Sequence, residues 1–177
     1  MSHPHRPGHV VLVGMMGVGK STVGRRLAAE LGRPFSDSDL EIEARTGRTV
    51  REIFERDGEP AFRRLEAQVL ADALASPEPT VVAAAGGVVL DPENRRRMTE
   101  AGTVVWLRAP VAVLVDRVAT GVHRPAVESD PEGTLSTMER DREELYAEVA
   151  DVTLDSARPV DEVVALALAA VTEREAA

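Results

Sequence analysis

The sequence predicts an α/β domain, a three-layer arrangement of a parallel sheet covered by helices on both faces. Three observations lead there. Short apolar runs alternate with longer helical stretches, the pattern of repeated strand–helix units. The apolar runs are only a few residues long and largely uninterrupted, as strands are when both of their faces are covered. The first of them leads directly into a glycine-rich loop that opens a helix, the local setting of a phosphate-binding turn. At 177 residues the chain makes one domain with a sizeable core.

Taken in order, strands are expected at 10–13, 34–37, 80–84, 103–107 and 152–154. Helices are expected at 20–31, 39–45, 49–57, 60–75, 92–101, 110–119, 135–149 and 160–174. Asp91-Pro92 supplies a cap and a first-turn proline for one helix, and Ala109-Pro110 repeats the proline signal. In the last helix Val160, Val163, Val164, Ala167, Leu168 and Val171 recur at three- and four-residue spacing, a stripe that packs on the core. Residues 120–133 lack periodicity and are bounded by Gly121 and Gly133; a loop of that length in a compact domain is functional or disordered. Ends at 1–8 and 173–177 are expected to be loose.

A net charge of −9 argues against a protein wrapped around nucleic acid, while leaving room for a local basic pocket. The absence of cysteine excludes disulfides, thiolate metal sites and thiol nucleophiles, and is compatible with a cytoplasmic location. No apolar run approaches the ~18 residues that span a bilayer, and the N-terminus has no secretory core segment. His3, His5 and His9 are expected to lie on a solvated tail, outside any metal site.

The chemistry starts at Gly14-Met15-Met16-Gly17-Val18-Gly19-Lys20-Ser21-Thr22, which fits G-x-x-x-x-G-K-[ST] between a strand and a helix. Glycines let the backbone of Gly17, Val18 and Gly19 wrap a polyphosphate with N–H groups pointing inward, and the helix dipole favours the anion. Lys20 would reach the β- and γ-phosphates, Ser21 would offer its hydroxyl to Mg²⁺, and Thr22 continues the loop into the helix. An acid near the metal is also needed. The run 81–87 ends in glycines and offers no carboxylate. Asp37 and Asp39, two apart at the end of the second strand, would share a face and enter one cleft, where α/β sheets place their ligands. One would serve Mg²⁺ through water and the other an acceptor hydroxyl. The plainer alternative is that Asp37 or Ser38 caps the next helix; Asp155 is a rival for the metal role.

Gly86 and Gly87 suggest a close backbone approach to a ligand, or an ordinary strand-to-loop turn. Lysine is nearly absent and arginine abundant, so single arginines mean little. Arg63, with Glu66 one turn on to steady it, and Arg142, in an otherwise solvated charged stretch, are the ones to converge on an anionic acceptor.

These residues in this order resemble the shikimate kinase family. The phosphate loop through Gly24 is followed by Phe35-Ser36-Asp37-Ser38-Asp39, Glu41-Ile42-Glu43, Thr46-Gly47, Ile53-Phe54, Gly58-Glu59 and Phe62-Arg63-Arg64-Leu65-Glu66. Gly86-Gly87, Arg124-Pro125 and Arg142-Glu143-Glu144-Leu145-Tyr146 complete the set, which spans about residues 9–172. The resemblance implies a P-loop kinase fold with a five-stranded parallel sheet, a small acceptor-binding helical region at about 38–66 and a lid at about 120–133. It implies transfer of the γ-phosphoryl of ATP to the 3-hydroxyl of shikimate, in aromatic amino-acid biosynthesis, with one Mg²⁺. Asp39, Arg63, Gly86, Gly87 and Arg142 fall where the family binds shikimate, Asp39 at the reacting hydroxyl. Lys20 and Arg124 would neutralise the phosphates in the transition state, Ser21 and Asp37 would serve Mg²⁺, and Arg117 and Arg158 would flank the adenine. A cytoplasmic monomer follows, with no nucleic-acid or membrane partner. Two departures stand out: Ala85 where the family has a first glycine, and Ala126-Val127 where the lid has two leucines. Gluconate kinase, with another carboxylated polyol as acceptor, is the nearest rival enzyme; a non-catalytic binding module is the other.

Overall fold

The computed structural model describes residues 8–120 and 125–177. Five strands form a parallel sheet: β1 (His9–Val13), β2 (Phe35–Asp37), β3 (Val81–Ala83), β4 (Gly102–Arg108) and β5 (Val152–Asp155), in the order β2-β3-β1-β4-β5. The helices are α1 (Lys20–Leu31), α2 (Ser38–Thr46), α3 (Val50–Asp57), α4 (Glu59–Leu74), α5 (Pro92–Ala101), α6 (Val111–Val118), α7 (Pro125–Ser129), α8 (Pro131–Val149) and α9 (Val160–Ala176), with a 3₁₀ turn at Val88–Leu90. All five residues of β1 are buried, which suits the apolar run from Val10 to Val13.

The order of strands fixes where ligands go. From β1 the chain steps across β3 to β2, and from β3 it steps back across β1 to β4. The crevice beyond the carboxyl ends of β1 and β3 is therefore a topological switch point. Register sharpens this: Leu12 of β1 pairs with Ala83 of β3, and Ala83 with Asp37 of β2. The phosphate loop, Asp37 and residues 84–87 thus leave the sheet at one edge.

Local chemistry sets the helix ends. The Asp37 side chain caps α2, Thr49 and Glu52 form a reciprocal capping box on α3, and Asp91 caps α5. Gly32 ends α1 in the left-handed conformation with its N–H bonded to Ala28 and Ala29 carbonyls. Two separate cores result. The large one joins the sheet to its flanking helices; a small one, Ile42, Ile53, Phe62 and Val69, holds α2, α3 and α4 together.

Several expectations are corrected. Residues 125–133 are helical apart from Asp130: α7 occupies Pro125–Ser129, and α8 begins at Pro131, four residues before its expected start. The cause is Asp130, whose Oδ1 accepts from Gly133 N at 3.1 Å, just ahead of a first-turn proline. Gly133 belongs inside that turn, since a Cβ there would lie 2.1 Å from Asp130 Oδ2. The C-terminal segment expected to be loose is helical to Ala176, tied in by Arg33, which bonds both Glu175 and the Gly8 carbonyl. His9 opens β1 instead of lying on a tail; it is buried, and its Nδ1 accepts from Thr80 N at 3.1 Å. His3 and His5 lie outside the described residues. Val160 leaves the core stripe and borders the cleft described next.

Candidate active site

The sheet edge opens into a cleft of about 750 Å³. Its lining runs from Gly86 and Arg142 past Asp37, Asp39 and the loop 17–22 to Arg117 and Arg158. One cavity thus joins residues more than a hundred positions apart in sequence.

The loop is built for an anion. Gly19 sits at φ +96°, a conformation open to glycine, and a Cβ there would meet nothing, so it is the backbone angle that demands glycine. It is also the N-cap of α1, which has no side-chain cap and no acid in its first turn, whereas α2, α3, α5 and α8 are each capped by a side chain. The first N–H groups of α1 and its positive dipole end therefore face the cleft with nothing competing for them from the first turn. Lys20 folds back along the loop, Nζ donating to the carbonyls of Gly14 at 2.6 Å and Met15 at 3.0 Å.

Asp37 serves two neighbours. Its Oδ1 accepts from the N–H groups of Asp39 at 3.1 Å and Leu40 at 3.2 Å, which starts α2, while its Oδ2 accepts from the Ser21 hydroxyl. The cap reading is seen directly, and the second oxygen is left to the Ser21 hydroxyl of the phosphate loop. The cap also overturns one expectation: β2 ends at Asp37, so Asp39 is in the first turn of α2 and not two along a strand. Both acids still line the cleft. Asp155, the rival, closes a turn by accepting from Ala157 N at 2.9 Å and is not among the lining residues.

At the other end the two glycines seat the two arginines. A Cβ on Gly87 would lie 1.8 Å from Arg63 Nη1; on Gly86 it would lie 3.2 Å from the Gly14 carbonyl and 3.6 Å from Arg142 Nη1. Arg63 and Gly87 stand just behind the lining. Arg63 Nη1 donates to both oxygens of Glu66, at 3.0 and 2.9 Å. Burial works against the Arg63 charge, but Glu66 and Glu59 outweigh it and hold the guanidinium above its ordinary pKa. Arg142 is only 6% exposed, and no carboxylate among the described residues pairs with it. Its partner is the Tyr146 hydroxyl, four residues along α8. That hydroxyl donates to the Gly86 carbonyl at 2.6 Å, and the ring stacks on Trp106 with centroids 5.7 Å apart. Burial pushes the Tyr146 pKa up to about 12 despite the nearby Arg142 charge, so it stays a protonated donor at neutral pH.

Arg117 and Arg158 border the opposite end. The Arg117 fork is committed to backbone: Nη1 to Gly17 O at 3.1 Å and Val18 O at 3.4 Å, Nη2 to Ser156 O at 2.7 Å. Arg158 is half exposed and lies 3.7 Å from Glu162. Arg124 lies outside the described residues. Ala85 and Val127, the departures from the family pattern, are both buried in the main core. Sequence reasoning gave no role to Tyr146 or Arg51. Arg51 lines the cleft from α3 and grips Glu128 of α7 with both Nη atoms. The i, i+4 spacing of Arg142 and Tyr146 was the available signal for the first; nothing in the sequence signals the second.

For a metal the donors are the Ser21 hydroxyl and Asp37 Oδ2, hard oxygens already in contact. Among the described residues no group of three or more acidic or histidine side chains could cage an ion. That donor set fits Mg²⁺, which takes one or two protein oxygens and completes its shell with phosphate and water. It would not suit a metal needing an all-protein site.

A loop of this kind at the switch point of a five-stranded parallel sheet defines the class, a P-loop phosphotransferase fold. The shikimate kinase family profile matches residues 16–172. The chain belongs to the shikimate kinase family. It is 46% identical over 157 residues to a shikimate kinase of Halorhodospira halophila, covering 88% of each chain. A shikimate kinase of Acinetobacter baumannii solved in complex with shikimate superposes with a TM-score of 0.91 at 36% identity, covering 96% of each chain. A gluconokinase of Sinorhizobium meliloti shares the fold more loosely, with a TM-score of 0.61 at 26% identity over 96% of this chain and 94% of its own.

Proposed function

We propose that the cleft transfers the γ-phosphoryl of ATP to the 3-hydroxyl of shikimate, with these side chains in the following roles. Lys20 leaves the Gly14 and Met15 carbonyls for the β- and γ-phosphates, whose charge it neutralises as the bond to the leaving oxygen breaks. The backbone of residues 17–22 holds the polyphosphate, and Arg117 keeps that backbone in place beside the adenine end, with Arg158 at its rim. Ser21 and Asp37 would hold one Mg²⁺, which supplies charge neutralisation between the phosphates when bound. Asp39 faces the loop from α2 and takes the hydrogen bond, and then the proton, of the acceptor hydroxyl. Arg63 and Arg142, seated by Gly87 and Gly86, take the acceptor's carboxylate. Arg124, outside the described residues, enters only through the family resemblance, as a second cation on the phosphates.

The observation that carries this reading is Arg142, a buried guanidinium with no carboxylate partner among the described residues, at the end of a cleft that also holds Lys20. Leaving such a charge uncompensated costs several kcal/mol, and an anionic acceptor supplies the missing partner. No helix among the described residues is long and apolar enough to cross a membrane, and dependence on ATP supports a cytoplasmic site of action. An ATP-coupled assay over shikimate, gluconate and CMP tests the acceptor: turnover of shikimate alone is expected, and turnover of gluconate without shikimate overturns the reading. Saturable shikimate binding with no ATP turnover would instead make the chain a binding module. In Arg142→Lys the fork is lost, so the KM for shikimate should rise about tenfold or more while that for ATP stays put.

A further inference from the structure

The Arg63 guanidinium meets two carboxylates of different kinds. Glu66, on Nη1, has a side chain 1% exposed and is a fixed part of the interior. Glu59, the first residue of α4, is 59% exposed and reaches back over Arg63, whose Nε and Nη2 donate to its Oε1 at 3.3 and 3.0 Å. The Nε–Nη2 edge is one of the edges through which arginine grips a carboxylate with two parallel bonds. Glu66 occupies Nη1, and Gly87 is pressed against the same nitrogen. The edge open to an incoming carboxylate is therefore the one that Glu59 covers.

Charge points the same way. Arg63 already has an acid on each side, Glu66 from the interior and Glu59 from the surface, while no carboxylate among the described residues pairs with Arg142. An acceptor carboxylate that reaches both arginines meets two acids at Arg63 unless one of them withdraws. Glu66 is buried and cannot; Glu59 has solvent at its back.

We propose that Glu59 is a displaceable stand-in for the acceptor's carboxylate, a residue that holds down the affinity for a carboxylated acceptor by competing with it for Arg63. This rests on the reading of the cleft as an acceptor site for shikimate. In the empty cleft Glu59 keeps Arg63 paired and aimed. A carboxylated acceptor exchanges with it at nearly equal cost to Arg63, whereas a neutral polyol offers nothing that would displace it.

The experiment compares Glu59→Gln and Glu59→Ala with the wild-type protein, measuring KM for shikimate, for shikimate methyl ester and for ATP. With the competing charge removed, the KM for shikimate should fall about two- to fivefold, the usual worth of an exposed ion pair. The KM for ATP should not move, which also reports an intact donor site. The ester, lacking the charge, should gain nothing. A shikimate KM that stays unchanged or rises in both variants overturns the proposal and makes Glu59 a brace for Arg63. An equal gain for the ester overturns it as well. Wild-type protein that neither binds nor turns over shikimate would remove the functional reading itself, an outcome visible before any variant is compared.

Discussion

On the proposed function, the donor and acceptor ends of the cleft solve the same problem, holding an anion, with different materials. The donor end is made of backbone: N–H groups at the start of α1, a glycine at φ +96°, and a single ammonium resting on two loop carbonyls. Lys20 is the sole lysine of the chain; everywhere else a fixed cation is wanted the sequence uses arginine. A compact point charge suits a phosphate that changes position during transfer, while planar forks suit a carboxylate that must stay still. The acceptor end is made of side chains from α4, α8 and the turn after β3, and each arginine there needs its own support. Backbone sites tolerate change around them. Side-chain sites depend on every contact that aims them.

That contrast can be broken, starting with the largest effect. Lys20→Ala removes the one charge that the backbone cannot replace and should lower kcat about a hundred- to thousandfold or more, judged from what one lost transition-state donor costs. Steady-state and single-turnover rates would check it, and near-normal turnover would mean that another cation does the work. Gly87→Ala comes next. Its methyl would need the space of Arg63 Nη1, at 1.8 Å, so Arg63 must swing away. The KM for shikimate should rise about ten- to a hundredfold, as misplacing a positioning group by about an ångström does. Since the donor end is built separately, ATP affinity by calorimetry should stay within about twofold; a matched loss at both ends would show that the two halves are not separable. Tyr146→Phe is the mildest. It deletes one hydrogen bond, to the Gly86 carbonyl, and a support of Arg142, worth about 0.5–1.5 kcal/mol. The expected result is a rise of about two- to tenfold in the KM for shikimate, with kcat changed less. The wild-type hydroxyl, its pKa raised to about 12 by burial, stabilises the fold fully below pH 10 and loses that contribution as pH climbs toward 12; the variant should lack that alkaline loss in a melting-temperature series.

The same contrast explains what the sequence could and could not reveal. The donor end is legible because its function lies in backbone geometry, which glycines advertise at fixed spacing; α1 begins and ends where the pattern placed it, at Lys20 and Leu31. Arg63 and Glu66 are legible as partners because they lie one turn apart on α4. The contact from Tyr146 to Gly86 spans 60 positions and joins a helix to a turn, so no local period encodes it. Asp37 could be read as either a cap or a metal-side acid because a carboxylate has two oxygens; the cap uses one, and the other accepts from Ser21. The miss at 125–133 had a readable cue: Asp130-Pro131-Glu132 repeats the Asp91-Pro92-Glu93 signal that places α5, and Gly133 masked it by looking like a loop boundary. The swap of Glu59 for an incoming acid has no sequence signature, since it depends on which edge of a guanidinium faces solvent.

Asp37 carries one further consequence. Its Oδ2 accepts from Ser21 of the phosphate loop and its Oδ1 fixes the start of α2, the helix that presents Asp39. Drawing Oδ2 toward a bound ion strains or steadies the cap, and any acceptor that shifts α2 moves Oδ2. The two substrates therefore share a thermodynamic variable, and reciprocity requires that each alter the other's dissociation constant by the same factor. That factor is the same whichever substrate binds first.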